Sequence, residues 1–309
     1  MVESPRIAVL LLNWRRADLT LRCLQDLLAV RDVPLHVLVI DNGSGAADVA
    51  KLTEALAAVP AGSPHRVELL GLPDNLGFTG GMNHGLLWAA AQQLPFVLVL
   101  NNDLRLPPEF LRPLVTVLQN DAAVAAVGPT VVHPDGTVWA EGGERAFVPN
   151  GLRLRRHRQA PSPTSAGPEA VGFLPCACVL FRTAAVTAVG NFDDAYFMYW
   201  EDVDLCERLA ARGGRIVTLP WVRVEHAAGQ SSGGGRSPLR KFLMACNTVR
   251  YLRAHGTLVG WLGWLCCDVL PWPLTLLQGP RAAFAKLQGM CAGVRGHRAG
   301  AADVQRLLG

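Results

Sequence analysis

Residues 191–206 hold the densest chemistry in the chain: Asp193, Asp194, Glu201, Asp202 and Asp204 stand among Phe192, Tyr196, Phe197, Tyr199 and Trp200. An ionised carboxylate wedged against aromatic rings is costly to desolvate, and proteins accept that cost most readily where the carboxylate does work. Residues 202–210 carry apolar side chains at helical spacing with acids in the first turn. The segment therefore reads as a loop that delivers Trp200, Glu201 and Asp202 to a helix N-terminus. For any one acid, an N-cap beside an aromatic cluster is the plainer explanation; the density of the segment points to catalysis.

Four further groups stand at the ends of apolar runs: Asn13, Asp41-Asn42, Asp74-Asn75 and Asn101-Asn102-Asp103. Asp41 suits the acceptance of hydrogen bonds from a base or ribose, or the capping of its own turn. Residues 74–85 form a glycine-rich turn into a helix, whose N–H groups could approach a phosphate or a sugar ring. Asp103 beside two carboxamides is placed for a hard divalent cation, Mg²⁺ or Mn²⁺. One carboxylate is too little for a tight all-protein site, so substrate phosphates would complete the shell. His226, at a strand end after the acidic helix, is either a satisfied structural residue or a contact to metal or phosphate.

The elements that must position these groups follow from periodicity. Runs at 6–13, 35–42, 66–71 and 96–100 predict buried strands, with helices over 19–30, 46–59 and 80–93 between them. Runs that are apolar throughout mark strands covered on both faces, as in a parallel sheet flanked by helices. Ligands of such sheets bind outside the strands' carboxyl ends, so the polar endings converge on one crevice. A helix from 107 to about 120, a strand over 124–133 and a loose excursion from 135 to about 168 follow, with a hairpin and a possible disordered tip at 159–168. The pattern then predicts a strand over 171–181, a short helix ending at Gly190, and two strands at 215–219 and 221–226.

With 309 residues, half of them hydrophobic, the chain can bury a large core. The net charge is +4, yet Arg153, Arg155, Arg156, His157 and Arg158 cluster in mid-chain and the C-terminal third is basic. That pattern suits an anionic partner such as a diphosphate or acidic lipid, or a solvated face. The N-terminus has no signal-peptide layout, which places the catalytic part in the cytoplasm. The eight cysteines show no paired metal-ligand spacing and read as reduced, mostly buried thiols. No Gly-x-Gly-x-x-Gly turn follows the first strand, which speaks against a dinucleotide oxidoreductase. The first strand's end also lacks the basic glycine-rich loop of a nucleotidyltransferase.

Read in order, Leu11-Leu12-Asn13-Trp14, Val39-Ile40-Asp41-Asn42-Gly43-Ser44, the turn from Asn75 to Asn83, Leu100-Asn101-Asn102-Asp103, Phe192-Asp193, Tyr199-Trp200-Glu201-Asp202-Val203-Asp204-Leu205 and His226 resemble the inverting family-2 glycosyltransferases. The likeness is strongest to the bacterial rhamnosyltransferase-like branch that builds cell-wall and surface polysaccharides, and it spans residues 6–231. It implies an α/β GT-A (Rossmann-like) fold with a mostly parallel central sheet and helices on both faces. It further implies that Asp41 contacts the base and ribose of a nucleotide sugar, that Asn13 frames that pocket, and that Asn75, Gly77, Phe78, Gly81 and Asn83 shape the donor site, with Asn102 among the donor-binding residues. Asp103 would be the last acid of the metal motif, its first acid replaced by Asn101; His226 would contact metal or diphosphate. Asp202 would be the general base, with Glu201 its neighbour and substitute. The implied donor is a dTDP-sugar, rhamnose first, with UDP-sugars behind it. A catalytically silent sugar-nucleotide-binding scaffold subunit is the alternative, against which the intact Glu201-Asp202 pair speaks.

Residues 236–309 form a basic and apolar helical region after a catalytic domain over 1–235. Residues 258–277 are about as long as a bilayer span, but Asp268, Pro271 and Pro273 break them and argue against a simple spanning helix. With Trp261, Trp264 and Trp272 and flanking Arg281, Lys286, Arg295 and Arg298, the stretch reads as interfacial, placing the protein on the inner face of the cell membrane near a lipid-linked or glycan acceptor. Packing on the catalytic domain or on a second copy in a homodimer is the other reading. Nothing indicates nucleic acid as a partner.

Overall fold

The computed structural model describes residues 5–146, 151–163, 167–226 and 237–308. The apolar runs become the centre of one sheet. β1 (Ile7–Asn13) lies parallel to β2 (Leu35–Asn42), with α1 (Ala17–Leu28) crossing between them. The pattern repeats through α2 (Ala46–Ala57), β3 (Arg66–Leu72), α3 (Gly77–Ala91) and β4 (Phe96–Leu100), giving the parallel order β3-β2-β1-β4. After β5 (Leu104–Arg105) and α4 (Leu111–Asn120) comes β6 (Val124–Val132), on which β7 (Val138–Ala140) folds back. A hairpin of β8 (Gly143–Arg145) and β9 (Leu152–Leu154) leads to β10 (Glu169–Ala170), β11 (Cys178–Arg182), α5 (Thr183–Ala188), α6 (Glu201–Ala211) and β12 (Arg215–His226). The second half of the sheet reads β10-β12-β6-β11-β4, with β11 antiparallel to both neighbours and β12 parallel to β6.

Strand periodicity sorts the core into two layers. Ile7, Val9 and Leu11 point toward α1 and α4, while Ala8 and Leu10 point toward α3, α5 and α6. All five are fully buried, and a buried Val, Leu or Ile contributes roughly 1.5–3 kcal/mol. Helices therefore cover both faces, as the uninterrupted apolar runs require.

Several expected boundaries move. The helix expected from Gly80 starts at Gly77, and the one expected from Pro107 starts at Leu111 after a turn. Where a strand was expected over 171–181, strand begins only at Cys178 and runs to Arg182, because Cys176 and Ala177 form a turn beside the end of β4. The two strands expected at 215–226 are one, which shifts register between Leu219 and Arg223; Pro220 has no N–H for the ladder and sits at that irregularity. The mid-chain cations have carboxylate partners nearby: Arg155 meets Glu169 at 2.8 Å, Arg156 meets Glu141 and Arg158 meets Asp135, each at 3.7 Å. Residues 164–166 of the expected loop tip lie outside the described residues.

The C-terminal region consists of α7 (Pro238–His255), α8 (Leu258–Trp264), α9 (Pro280–Val294) and α10 (Ala301–Leu308), with a π-helical turn at Leu265–Val269 and a 3-10 turn at Trp272–Gln278. Among the described residues no helix is long and apolar enough to cross a membrane; the breaks fall at Asp268, Pro271 and Pro273, as their chemistry dictates. Phe197 of the acidic segment inserts among Leu239, Phe242 and Leu243 of α7.

Candidate active site

The register of β1 on β2 sets Asn13 beside Asp41, and the Asn13 amide donates to Asp41 Oδ1 at 2.7 Å. Asn13 also donates to Ser44 Oγ at 3.1 Å, and its Oδ1 accepts from Thr20 at 2.7 Å. Asn102 donates to the same Thr20 hydroxyl at 2.9 Å. The ends of β1, β2 and β4 are thus tied into one polar network, with Asp41 nearly fully buried in it. Thr20 was not singled out from the sequence, and Ser44 entered only as the last residue of the motif that follows Asp41. A signal for Thr20 existed, since it lies on the buried face of α1 with Ala17, Cys23, Leu24 and Leu27.

Asn75 folds an Asx turn, its Oδ1 accepting from Gly77 N at 2.9 Å and from Asn42 Nδ2 at 3.1 Å. Asn42, read from the sequence as part of the polar ending of its strand, also donates to Gly77 O and accepts from Leu76 N. From Gly77 onward the turn lies against the acidic segment. Gly77 has φ +75° and a side chain there would lie 2.3 Å from Phe197 O; Phe78 N donates to that same carbonyl at 2.8 Å. Asn83 bonds Phe192 O at 3.0 Å and Asp194 at 2.6 Å. Gly81 lets α3 lie close on Leu12 of β1, where a Cβ would come within 2.5 Å of its side chain.

The five acids of the segment separate by their partners. Asp193 caps its own turn at Ala195 N, and Asp194 is held by Asn83. Asp204 is buried between Arg208, at 2.7 Å, and His255 of α7, also at 2.7 Å. Glu201 and Asp202 keep no cationic partner among the described residues. Asp202 accepts from Val203 N at 2.8 Å and from the N–H of Cys176; Glu201 Oε2 is buried with no hydrogen bond among the described residues. Burial raises the Asp202 carboxyl to about 6, and burial together with the Asp202 charge pushes Glu201 well above the usual carboxylate range. The Asp202 carboxyl is thereby placed to exchange a proton near neutrality.

The loop before these acids is strained. Tyr199 and Trp200 both have left-handed backbones, φ 72° and 74°, which bulky residues rarely adopt. It is clamped from two sides. On α3, Thr79 donates to Tyr196 O at 2.5 Å; on α7, the buried Asn247 donates to Met198 O at 3.0 Å and Tyr199 O at 2.9 Å. Trp200 packs on Tyr251, with ring centroids 4.8 Å apart. Asn247 gave no sign of this in the sequence.

β5 pairs with the end of β12, which brings Asp103 to His226, Nε2 to Oδ1 at 3.2 Å. His226 stacks on Trp139 at 5.0 Å, and its Nδ1 has no hydrogen bond among the described residues. No cluster of three or more His, Cys, Asp or Glu that could hold a metal occurs among the described residues. One carboxylate and one imidazole suit Mg²⁺ or Mn²⁺ only where a substrate supplies the remaining oxygens. Asp103, His226 and the acids share one end of the sheet: Asn101 N donates to Ala177 O at 2.9 Å, beside the Cys176 N–H that bonds Asp202.

The family model described as glycosyltransferase like family 2 matches residues 5–238. The chain is 30% identical over 233 residues to the N-acetylglucosaminyl-diphospho-decaprenol L-rhamnosyltransferase of Mycobacterium tuberculosis, covering 69% of this chain and 73% of that one. It is 30% identical over 219 residues to the galactofuranosyltransferase GlfT1 of the same organism, covering 69% and 66%. Among solved structures it resembles GalNAc-T7 with UDP, GalNAc and Mn²⁺, at TM-score 0.64 and 13% identity over 96% of this chain and 57% of that one. It also resembles the mannosyltransferase PcManGT of Pyrobaculum calidifontis with GDP-Man and Mn²⁺, at TM-score 0.62 and 16% identity over 99% and 79%. At these identities the structural likeness speaks for the fold, a GT-A arrangement with a mostly parallel sheet. Sheet, crevice and family match agree: the chain belongs to the family-2 glycosyltransferases.

Proposed function

We propose that the protein transfers a sugar, with inversion, from a nucleoside diphosphate donor to a hydroxyl of a lipid-linked acceptor in cell-wall or surface glycan synthesis, with dTDP-rhamnose as donor. The observation that carries this reading is the separation of the acids: Asp193 and Asp194 are exposed, and of the three sheltered carboxylates in residues 191–206 only Glu201 and Asp202, unlike Asp204, keep no cationic partner among the described residues. The decaprenol-linked substrate named for the mycobacterial rhamnosyltransferase supports the choice of sugar and acceptor.

In this mechanism Asp202 takes the acceptor hydroxyl's proton as its oxygen bonds the anomeric carbon and the bond to the donor phosphate breaks on the opposite face. Glu201, more deeply buried and pushed well above the usual carboxylate range by burial and the Asp202 charge, is its near neighbour and substitute. Asp41, oriented by Asn13, receives the base and ribose, with Asn102 completing that network through Thr20. Gly77, Phe78 and Asn83 act by docking the acidic loop on α3, while Asn75 shapes the turn into α3 and Gly81 lets α3 lie close on β1 beside the donor pocket. Asp103 and His226 would hold a divalent cation together with the donor diphosphate; bound there, the ion supplies Lewis-acid stabilisation of the leaving group, and the Mn²⁺ named in the two structural neighbours supports this. Residues 1–235 form the catalytic unit and 236–309 rest on the cytoplasmic face of the membrane.

The test is product formation by the purified protein from a panel of nucleotide sugars, Mn²⁺ or Mg²⁺ and a membrane lipid extract, comparing wild type with Asp202→Asn. One donor should yield a glycolipid, and Asp202→Asn should abolish it while still binding donor. Donor binding without transfer in either protein would instead mark a scaffold subunit.

A further inference from the structure

A cavity of about 270 Å³ opens between α7, α8 and α9, walled by Trp200, Arg240, Lys241, Trp264, Asp268 and Lys286. Three of these side chains are cations and one is an acid. The acid is already engaged, Asp268 pairing with Lys286 at 2.7 Å. Arg240 lies over the Tyr199 ring at 5.7 Å, and Lys241 has no ion-pair partner among the described residues. Burial, then the charges of Lys286 and Arg240, lower the Lys241 ammonium from its ordinary range. Arg240 and Lys241 also stand in the first turn of α7, the end of a helix that repels cations and attracts anions. Positive charge is concentrated here against its own repulsion, which an anion would relieve.

The cavity adjoins the most apolar surface of the molecule. Ten of the twelve strongly exposed large hydrophobic side chains among the described residues fall within 258–294, including Leu258, Val259, Leu262, Leu274 and Leu277. Such a surface, rimmed by polar groups, marks an interaction site. Trp200, next in the chain to Glu201 and Asp202, also lines the cavity.

We propose that this cavity binds the diphosphate of a polyprenyl-diphosphate acceptor, with the lipid chain lying on the exposed face of residues 258–277 and the sugar end reaching Trp200. The proposal deepens the transferase reading and rests on it for the acceptor's role. The three cations outweigh the one acid and leave an excess of positive charge that suits a diphosphate, the apolar face matches the lipid, and Trp200 connects both to the acids.

The test measures binding of farnesyl diphosphate in neutral detergent micelles to the full chain, with farnesol, inorganic pyrophosphate and phosphatidylglycerol vesicles as separate probes. Farnesyl diphosphate should bind more tightly than farnesol or pyrophosphate. Lys241→Gln should weaken it roughly tenfold, the loss of one charge-assisted contact, and Lys241→Arg should restore it. Binding of UDP or dTDP with Mn²⁺ should be the same in all three proteins. Unchanged farnesyl diphosphate binding in Lys241→Gln, or its displacement by UDP or dTDP, overturns the proposal. So does a Lys241 effect confined to phosphatidylglycerol vesicles, which would make the cluster a headgroup contact, or a dimer that persists in detergent without binding the lipid. Nucleotides failing to bind while Lys241-dependent capture persists would sink the transferase reading and leave the lipid-diphosphate site standing.

Discussion

Replacing Asn247 by alanine tests whether α7 holds the carboxylate loop in its working shape. Tyr199 and Trp200 are consecutive left-handed residues, and such conformations cost on the order of 1–3 kcal/mol each. The Trp200–Tyr251 stack returns only about 0.5–1.5 kcal/mol, less than the strain of the pair. The Asn247 amide supplies two more bonds, to Met198 O and Tyr199 O, each worth about 1 kcal/mol net. Its removal also strands two carbonyls, at about 1–3 kcal/mol each where they stay buried. Asn247→Ala should therefore lower stability by about 2–4 kcal/mol. A shift of about 2 kcal/mol toward a relaxed loop reduces the productive population roughly thirtyfold. The expected result is a kcat lowered by that order with the donor KM unchanged, because the Asn13–Asp41 network bonds α1 and the β2 turn and not α7. Asn247→Asp, which replaces the donor by an acceptor, should do no better. Steady-state kinetics beside thermal melts decide the matter: wild-type kcat in an Asn247→Ala protein whose Tm has dropped would refute the reasoning, leaving Asn247 a packing residue.

Three further outcomes are expected. The kcat/KM for transfer should fall as pH drops through about 6, where burial places the Asp202 carboxyl; an acid limb at the ordinary carboxylate value near 4 would count against Asp202 as base. The same shift predicts a stability trend: between about 4 and about 6 the folded state binds more protons at Asp202 than the unfolded chain, so this group's contribution declines as pH rises. Asp202→Asn removes that slope, and its denaturation midpoint should gain on wild type between pH 4 and pH 7. Gly77→Ala should lower Tm and transfer together, since a Cβ at φ +75° meets Phe197 O at 2.3 Å and the left-handed backbone alone costs about 1–2 kcal/mol; Gly71→Ala, where nothing lies within 4 Å, is the control that should be mild. Stripping divalent cations with EDTA should stop transfer and Mn²⁺ should restore it, with Asp103→Asn needing more Mn²⁺ for half-maximal rate; full activity in EDTA would dismiss the Asp103–His226 pair as a metal site.

Much of the framework was legible in the chain because it depends on local pattern. Uninterrupted apolar runs at 7–12, 35–40 and 96–100 can be satisfied only by strands covered on both faces, and polar residues directly after them can only gather at one edge of the sheet. That edge is where Asn13 meets Asp41 and where Asn102 joins through Thr20. Boundaries were less legible where a proline or a turn interrupted a run. At Pro220 the strand continues through a register shift, and at Cys176 and Ala177 the run forms a turn beside the end of β4.

The sequence by itself determined the strands, their polar endings and the presence of a carboxylate-rich segment, since periodicity and residue chemistry act over a few neighbouring positions. Tertiary structure alone decided which carboxylates stay available. Asp194 is spent on Asn83, 111 residues away, and Asp204 on His255, 51 residues away; no local pattern announces either partner. It also decided that Asn247 grips the loop 48 residues before it, and that β5 on β12 carries Asp103 to His226. A polar side chain takes the partner that long-range packing places within about 3 Å of it, and that choice exists only once the sheet and the C-terminal helices have closed around the loop.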